Sequence, residues 1–335
     1  MATAAALCAN QLRLELTLRN RIYARGRAHV ESYGGAPVIV YEPENGCHGN
    51  FFDPAYSAMA ANPEWMRRFD KVHAQAARSL PRPQLDLARR WRELDSSMSS
   101  DALLMNIFCT PGVACSAAIQ SALGVNAGDV PIFGWKARVP LANGRFDRTE
   151  VDMRFGSLLV EAKLTEIGFQ TRAAAIVEAY RDFDTVFDRN LLPRAEIPTS
   201  RWLRASEFPE DVSQEFESIV SDPALVSNID TVFRPPGEPG YQSYQLIRSV
   251  LAAHAADASF CVIHDERRPD LREEWFQVMA AVKSSALRTR LKVLTWQELA
   301  AFVPDALAEF LDVKYGIVAP GKTPSPIGDA AALSG

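Results

Sequence analysis

Apolar residues along this chain recur in two rhythms, and where the rhythm changes, helices give way to strands. The clearest strand signal is Ser157-Leu-Leu-Val-Glu161-Ala-Lys163-Leu164, nearly continuous in apolar side chains yet interrupted by two opposite charges two residues apart. Residues 132–140 and 145–154 read as strands before it. Asn143-Gly144 is a hairpin turn signal between those two, and Phe155-Gly156 is the next reversal, so a three-stranded meander is predicted. Upstream, residues 10–30 predict a helix carrying Leu12, Leu14, Leu16, Leu18 and Ile22. Residues 36–63 read as an ordered loop with one short strand. Asn62-Pro63 opens a helix expected to reach about Leu80, with proline in its first turn. Pro81 and Pro83 break it, and a helix over 84–93 follows. Ser99-Ser100-Asp101 caps an apolar helix, 102–108.

Beyond the meander an amphipathic helix is predicted at 171–187, then a proline-rich irregular insertion, 188–240. Helix and strand then alternate: helix 241–256, strand 259–264, helix 270–285, strand 290–294 and helix 296–314. Thr295 and Glu298 form a capping box for the last helix. The stretch 317–335, rich in Pro, Gly and Ala, is expected to be a flexible tail.

Composition narrows the function classes. The 335 residues are 47% hydrophobic and 23% charged, ordinary for a globular protein. No run approaches the length of a membrane span, and the start lacks a secretory signal pattern. Five cysteines without CxxC spacing argue against a zinc knuckle or a disulfide framework. A cytoplasmic location is expected, with no membrane partner. Net charge is -5, but residues 1–92 hold 13 Lys and Arg against 8 Asp and Glu. That basic N-terminal portion, with Arg67, Arg68 and Lys71, suits contact with phosphates.

The candidate chemistry lies in the meander. Alternation puts Glu161 and Lys163 on one face of their strand, and Glu150, Asp152 and Arg154 on one face of the strand before. The reversal at 155–156 lets Asp152 and Glu161 approach one another beside Lys163. Two close carboxylates repel unless a hard cation lies between them, and magnesium needs only one or two protein carboxylates. A metal so held could polarise a phosphodiester and acidify water. Lys163 would orient or help deprotonate that water and offset transition-state charge, and the Ala162 carbonyl could supply a further ligand. By itself Glu-x-Lys is a common pattern: Asp312-Val-Lys314 fits it on a predicted helix. A structural ion pair at a sheet edge is the competing reading. Gly321-Lys322-Thr323 imitates a P-loop ending but lacks its glycine and strand. His264 reads as a core histidine, and Cys109 and Cys115 as small buried hydrophobes.

Asp152, followed by Glu161-Ala-Lys163 on the next strand, resembles the PD-(D/E)xK, or restriction-endonuclease-like, nucleases. Ser99-Ser-Asp-Ala-Leu-Leu-Met-Asn106-Ile-Phe108 and the stretch from Tyr244-Gln-Leu-Ile-Arg248 to Leu311-Asp-Val-Lys-Tyr315 are similar to a bacterial branch of restriction endonucleases. The resemblance covers about 95–315. It implies an α/β fold with an α-β-β-β-α-β core, a mixed sheet flanked by helices, matching segments 99–108, 132–164, 171–187 and 259–264. It also implies an N-terminal helical extension (1–95), a nuclease domain (96–316) that includes the insertion, and a C-terminal α/β extension. Under it, Asp152 and Glu161 are metal ligands with Ala162, Lys163 is the catalytic lysine, and Mg2+ is the cofactor, with Mn2+ as a substitute. Asp101, Glu150 and Gln170 are auxiliary candidates. Val151 stands where the family often has proline.

The function expected is Mg2+-dependent hydrolysis of phosphodiester bonds, foremost by a DNA endonuclease with a restriction or defence role. Arg67, Arg68, Lys71, Arg201, Trp202 and Arg204 are candidates for contact with duplex DNA. A homodimer would suit cutting both strands. The alternatives are a catalytically silent nucleic-acid-binding or assembly module of the same fold, and a nuclease acting on RNA or on branched or damaged DNA.

Overall fold

The meander forms and makes up one side of a five-stranded mixed sheet, but its first two expected strands, 132–140 and 145–154, each break, and their ends Val139–Pro140 and Phe146–Asp147 pair as a separate two-stranded hairpin. The computed structural model describes residues 6–32, 37–71, 91–148, 150–197 and 237–327. Strands β1 (Pro131–Lys136), β2 (Glu150–Phe155) and β3 (Leu158–Ala162) pair antiparallel in turn. Gly156, at φ +58°, makes the reversal between β2 and β3, a conformation that glycine adopts without a Cβ clash. Strands β4 (Ser259–His264) and β5 (Leu291–Thr295) add in parallel, giving the order β5-β4-β3-β2-β1. Strand β3 is central and buried along its whole length.

Parallel neighbours need a crossover, here helical. Helix α3 (Tyr244–Ala255) carries the chain into β4, and α4 (Pro269–Ala280) carries it from β4 to β5. On one side of the sheet, Met153, Val160, Ala162 and Ile263 pack against three groups of helical residues. These are Leu12 and Leu16 of α1 (Ala9–Tyr23), Leu103, Leu104 and Ile107 of α2 (Ser100–Phe108), and Trp296 and Leu311 of the C-terminal helices. On the other side, Leu159, Phe260 and Val262 meet Ile247, Val250 and Leu251 of α3 and Trp275 of α4. Each such side chain contributes about 1.5–3 kcal/mol by leaving water. Because Leu12, Leu16 and Leu158 share one cluster, α1 is packed into the body of the sheet.

Several expectations need correction. The helix expected over 10–30 ends at Tyr23, and the chain turns back into a two-stranded ribbon of His29–Glu31 with Ile39–Tyr41. A helix, Asp53–Ala60, stands within the expected loop. The helix opened by Asn62, whose side chain accepts from the backbone N–H groups of Glu64 and Trp65, gives way after Met66 to a 3-10 turn, Arg67–Asp70. Residues 72–80 and 84–90 of the predicted helices lie outside the described residues.

The amphipathic segment 171–187 is not one helix. It splits into a short strand, Arg172–Ala173, and two single turns, Ala174–Val177 and Phe183–Val186. Between the turns the Tyr180 hydroxyl donates to Asp147 at 2.5 Å, and the Arg181 N–H donates to the Pro140 carbonyl. These bonds bend the segment against the hairpin, so the crossover helix of the core is α3, not 171–187. The ends of the 188–240 stretch come together, since Arg194–Ile197 pairs with Glu238–Tyr241. Pro304 divides the last predicted helix into α5 (Trp296–Ala300) and α6 (Asp305–Tyr315). The Thr295–Glu298 capping box forms. Of the stretch after 317, Ser325 donates to Asp312 at 2.7 Å and its carbonyl accepts from Arg19.

Trp296 ties the C-terminal helices to the strand that bears the paired charges. Its fully buried indole donates to the Lys163 carbonyl at 2.8 Å. Trp296→Phe leaves that carbonyl without this donor and should destabilise the protein by about 1–3 kcal/mol, read as a lower urea midpoint at unchanged m-value.

Candidate functional site

Strands β2 and β3 stop pairing where the charged residues begin. Their ladder ends at Met153↔Val160. Beyond it the Ala162 N–H donates to the Asp152 carboxylate (Oδ2) at 2.7 Å. A side chain thus takes the place of a backbone acceptor, and the two strands splay around it. The partner strand breaks at the same level. Gly134, at φ +64°, lies between the pairs Phe133↔Met153 and Trp135↔Val151.

Into this opening the sequence delivers its charges on the expected face. Val160, Ala162 and Leu164 belong to the core on one side of the sheet, so Glu161 and Lys163 point to the other. Both are buried. Glu161 Oε1 accepts from Lys163 Nζ at 2.7 Å, and Oε2 lies 3.9 Å from Arg248 Nη2. The Lys163 backbone is pinned on both sides, its N–H to the Ile263 carbonyl and its carbonyl to Trp296. Phe169 covers the ammonium, with its ring centre 5.5 Å from Nζ.

The electrostatics of the two groups are opposite in sense. Burial raises the Asp152 pKa well above the usual carboxylate range, and the negative charges of Glu161 and Asp101 add to this; Lys163 and the Ala162 N–H only partly offset them. Burial alone would lower the Lys163 pKa, but Glu161, Glu166 and Asp152 outweigh it and hold the ammonium above the ordinary lysine range. Lys163 is therefore a fixed positive charge at neutral pH, while the Asp152 carboxyl is only partly compensated.

The auxiliary acids Asp101 and Glu150 belong to the same cluster, but through partners that point inward. Arg68 Nη1 lies 2.6 Å from Glu150 Oε1, and its other terminal nitrogen binds Asp101 Oδ2. Lys71 Nζ lies 3.0 Å from Glu150 and 2.8 Å from Glu93. Burial works to raise the Glu150 pKa, yet Arg68 and Lys71 bring it below the usual range. Arg68 is only 7% exposed. Its expected place on a phosphate-binding surface is thus corrected, because its guanidinium is consumed by carboxylates inside the protein. Lys71 is likewise engaged, while Arg67 stays at the surface beside Glu64. The side chain of Gln170 is exposed, and among the described residues no hydrogen bond joins it to the acids. Arg201, Trp202 and Arg204 lie outside the described residues.

Two participants were missed from sequence. Arg248 is buried on α3 and donates to the Glu150 carbonyl at 3.3 Å as well as approaching Glu161. Its signal was a lone arginine within the apolar stripe Leu246, Ile247, Val250 and Leu251. Glu166 accepts from the Leu164 N–H and the Ser100 hydroxyl, both at 2.7 Å, which fixes a further negative charge near Lys163. Other candidates fall away. His264 is buried with Nδ1 on the Asp265 carbonyl, and Cys109 is buried, but Cys115 is exposed, contrary to expectation.

Among the described residues no three His, Cys, Asp or Glu side chains form a metal cage. The donor set nevertheless fits a hard cation that keeps much of its water shell. Asp152 and Glu161 share the site, and the N–H and carbonyl of Ala162 point to the same edge of β3, toward Asp152.

A family model described as Restriction Endonuclease associating with ARP matches residues 20–316, most of the chain. Neither a curated protein nor a solved structure matches it.

Two consequences concern stability. A carboxyl whose pKa is raised by folding contributes stability below its unfolded pKa and loses it as pH rises through the folded value. Asp152→Asn, which can still accept from Ala162, should therefore raise the melting temperature in EDTA at neutral pH, with the gain shrinking toward acid pH. Gly134→Ala puts a Cβ 2.7 Å from Arg68 Nη1 at a positive φ; thermal unfolding should report a loss of about 1–3 kcal/mol.

Proposed function

We propose, from the premise that this chain belongs to the restriction endonuclease family whose model it matches, that it is a metal-dependent deoxyribonuclease cutting within duplex DNA. The observation that carries the reading is the convergence of a poorly compensated carboxyl, Asp152, with a buried Glu161–Lys163 pair at a break in the sheet. An ion pair kept for stability alone has little reason to sit beside a like charge, since buried pairs seldom improve on apolar packing.

Asp152, Glu161 and the Ala162 carbonyl are the proposed ligands of a Mg2+ ion, with Mn2+ as a substitute. Bound there, the cation supplies Lewis-acid polarisation of the phosphodiester and acidifies a water molecule for attack. The remaining chemistry falls to the chain. Lys163, held as an ammonium by its carboxylate neighbours, donates to a phosphoryl oxygen and offsets the charge that grows on it in the transition state. Arg248 orients Glu161 from the helix side. Trp296 and Ile263 fix the backbone of Lys163 and so the direction of its side chain. Phe169 covers the Lys163 ammonium on the same face.

The biological role that fits the family is restriction or defence. Purified protein incubated with supercoiled plasmid and Mg2+ should nick or linearise it, and EDTA should stop the reaction. Asp152→Ala, Glu161→Ala and Lys163→Ala should each lower the rate by at least about 100-fold with unchanged circular dichroism. Full activity in all three folded variants would remove the assignment.

A further inference from the structure

Two carboxylates beside the proposed metal ligands already hold their counter-ions within the chain. Asp101 enters from the first turn of α2 and Glu150 from the start of β2. Arg68 bridges them, with Nη1 2.6 Å from Glu150 and Nη2 on Asp101. Lys71 Nζ adds a second positive charge, 3.0 Å from Glu150 and 3.8 Å from Asp101. Glu150 precedes Asp152 by two residues on β2, and Asp101 and Arg68 lie within electrostatic reach of Asp152.

The guanidinium has a place built for it. At φ +64° Gly134 brings the backbone of β1 so close to Arg68 that a Cβ there would stand 2.7 Å from Nη1. Glycine at this position lets the Arg68 guanidinium lie against the sheet. Carboxylates outnumber cations across the cluster: Asp101, Glu150, Asp152 and Glu161, with Glu93 on Lys71 and Glu166 near Lys163, face Arg68, Lys71, Lys163 and Arg248. The two halves differ in how their cations are supplied. Asp101 and Glu150 are bridged by a forked guanidinium, which fills carboxylate lone pairs in fixed directions. Asp152 has only the Ala162 N–H on one oxygen.

We propose that the site takes a single divalent cation, at Asp152 and Glu161, because Arg68 and Lys71 fill with side-chain charge the position beside Asp101 and Glu150 that a second cation would need. The proposal rests on the nuclease reading of Asp152 and Glu161. It gives the N-terminal segment 63–71 a role in the site itself: it supplies counter-charge in place of a metal.

Mn2+ titration of the full-length protein, followed by electron paramagnetic resonance of the free ion, reads the stoichiometry without reference to cleavage. The wild-type chain should bind one Mn2+, and Asp152→Ala should lose it. Arg68→Met and Lys71→Met should each admit a second ion, tightening its binding by roughly tenfold or more, while Arg68→Lys should stay at one. Circular dichroism checks each fold. Lys71 is 39% exposed, so Lys71→Met carries the test if loss of the buried Arg68 unfolds the chain. Two ions on the wild-type chain, or a single ion on every folded variant, would overturn the proposal while leaving the nuclease reading intact. No Mn2+ bound by the wild-type chain would overturn both.

Discussion

One hydrogen bond organises the centre of this molecule, that from the Ala162 N–H to the Asp152 carboxylate. A central strand cannot leave a buried N–H without an acceptor. If a β2 backbone carbonyl met that need, the two strands would close and their side chains would pack as an ordinary sheet. Here a carboxylate satisfies it, so β2 and β3 part after Met153↔Val160. The gap that results is lined by the charged face of both strands. Backbone satisfaction and the placing of a reactive group are thus the same event.

That arrangement explains the electrostatics around it. A carboxylate drawn into a sheet loses water, and its pKa rises. Glu161 alone would make matters worse, and the structure answers with four cations from three parts of the chain: Lys163 just after β3, Arg248 on α3, and Arg68 and Lys71 on the N-terminal segment. Because those cations come from parts of the chain far apart in sequence, the site exists only when the whole fold does. The N-terminal third is therefore bound to the central sheet twice, through the Arg68 ion pairs and through the packing of Leu12 and Leu16 of α1 against the sheet.

The meander, the capped helix α2, the alternation from 244 onward and the shared face of Glu161 and Lys163 were all legible in the sequence. Each depends on local periodicity and turn chemistry. What was not legible depends on distant partners. Arg68 reads as a basic surface residue until Asp101 and Glu150, 33 and 82 positions away, are seen to bind it. Segment 171–187 has a helix's pattern, but Tyr180 finds Asp147 and Tyr244 in space and bends it. Arg248 looked like an interruption of an apolar stripe because the carboxylate that it faces lies on another element.

The second acid-x-lysine motif of the chain makes the same point about local geometry. Asp312-Val-Lys314 repeats the spacing of Glu161-Ala-Lys163. On a strand, residues i and i+2 share a face, so the acid and the lysine meet. On a helix they are turned by about 200° from one another. Asp312 of α6 accordingly faces Ser325, while Lys314 turns inward, buried among Tyr23, Tyr41 and Tyr315, with Nζ 3.9 Å from the Tyr41 ring centre. Burial lowers the Lys314 pKa well below the ordinary lysine range, with the Arg27 charge adding to it, whereas three nearby carboxylates raise that of Lys163. Identical spacing thus yields a buried amine with its pKa depressed in one place and a fixed ammonium beside two carboxylates in the other. Secondary structure, not the motif, decides which of the two lysines meets its acid as a buried ion pair.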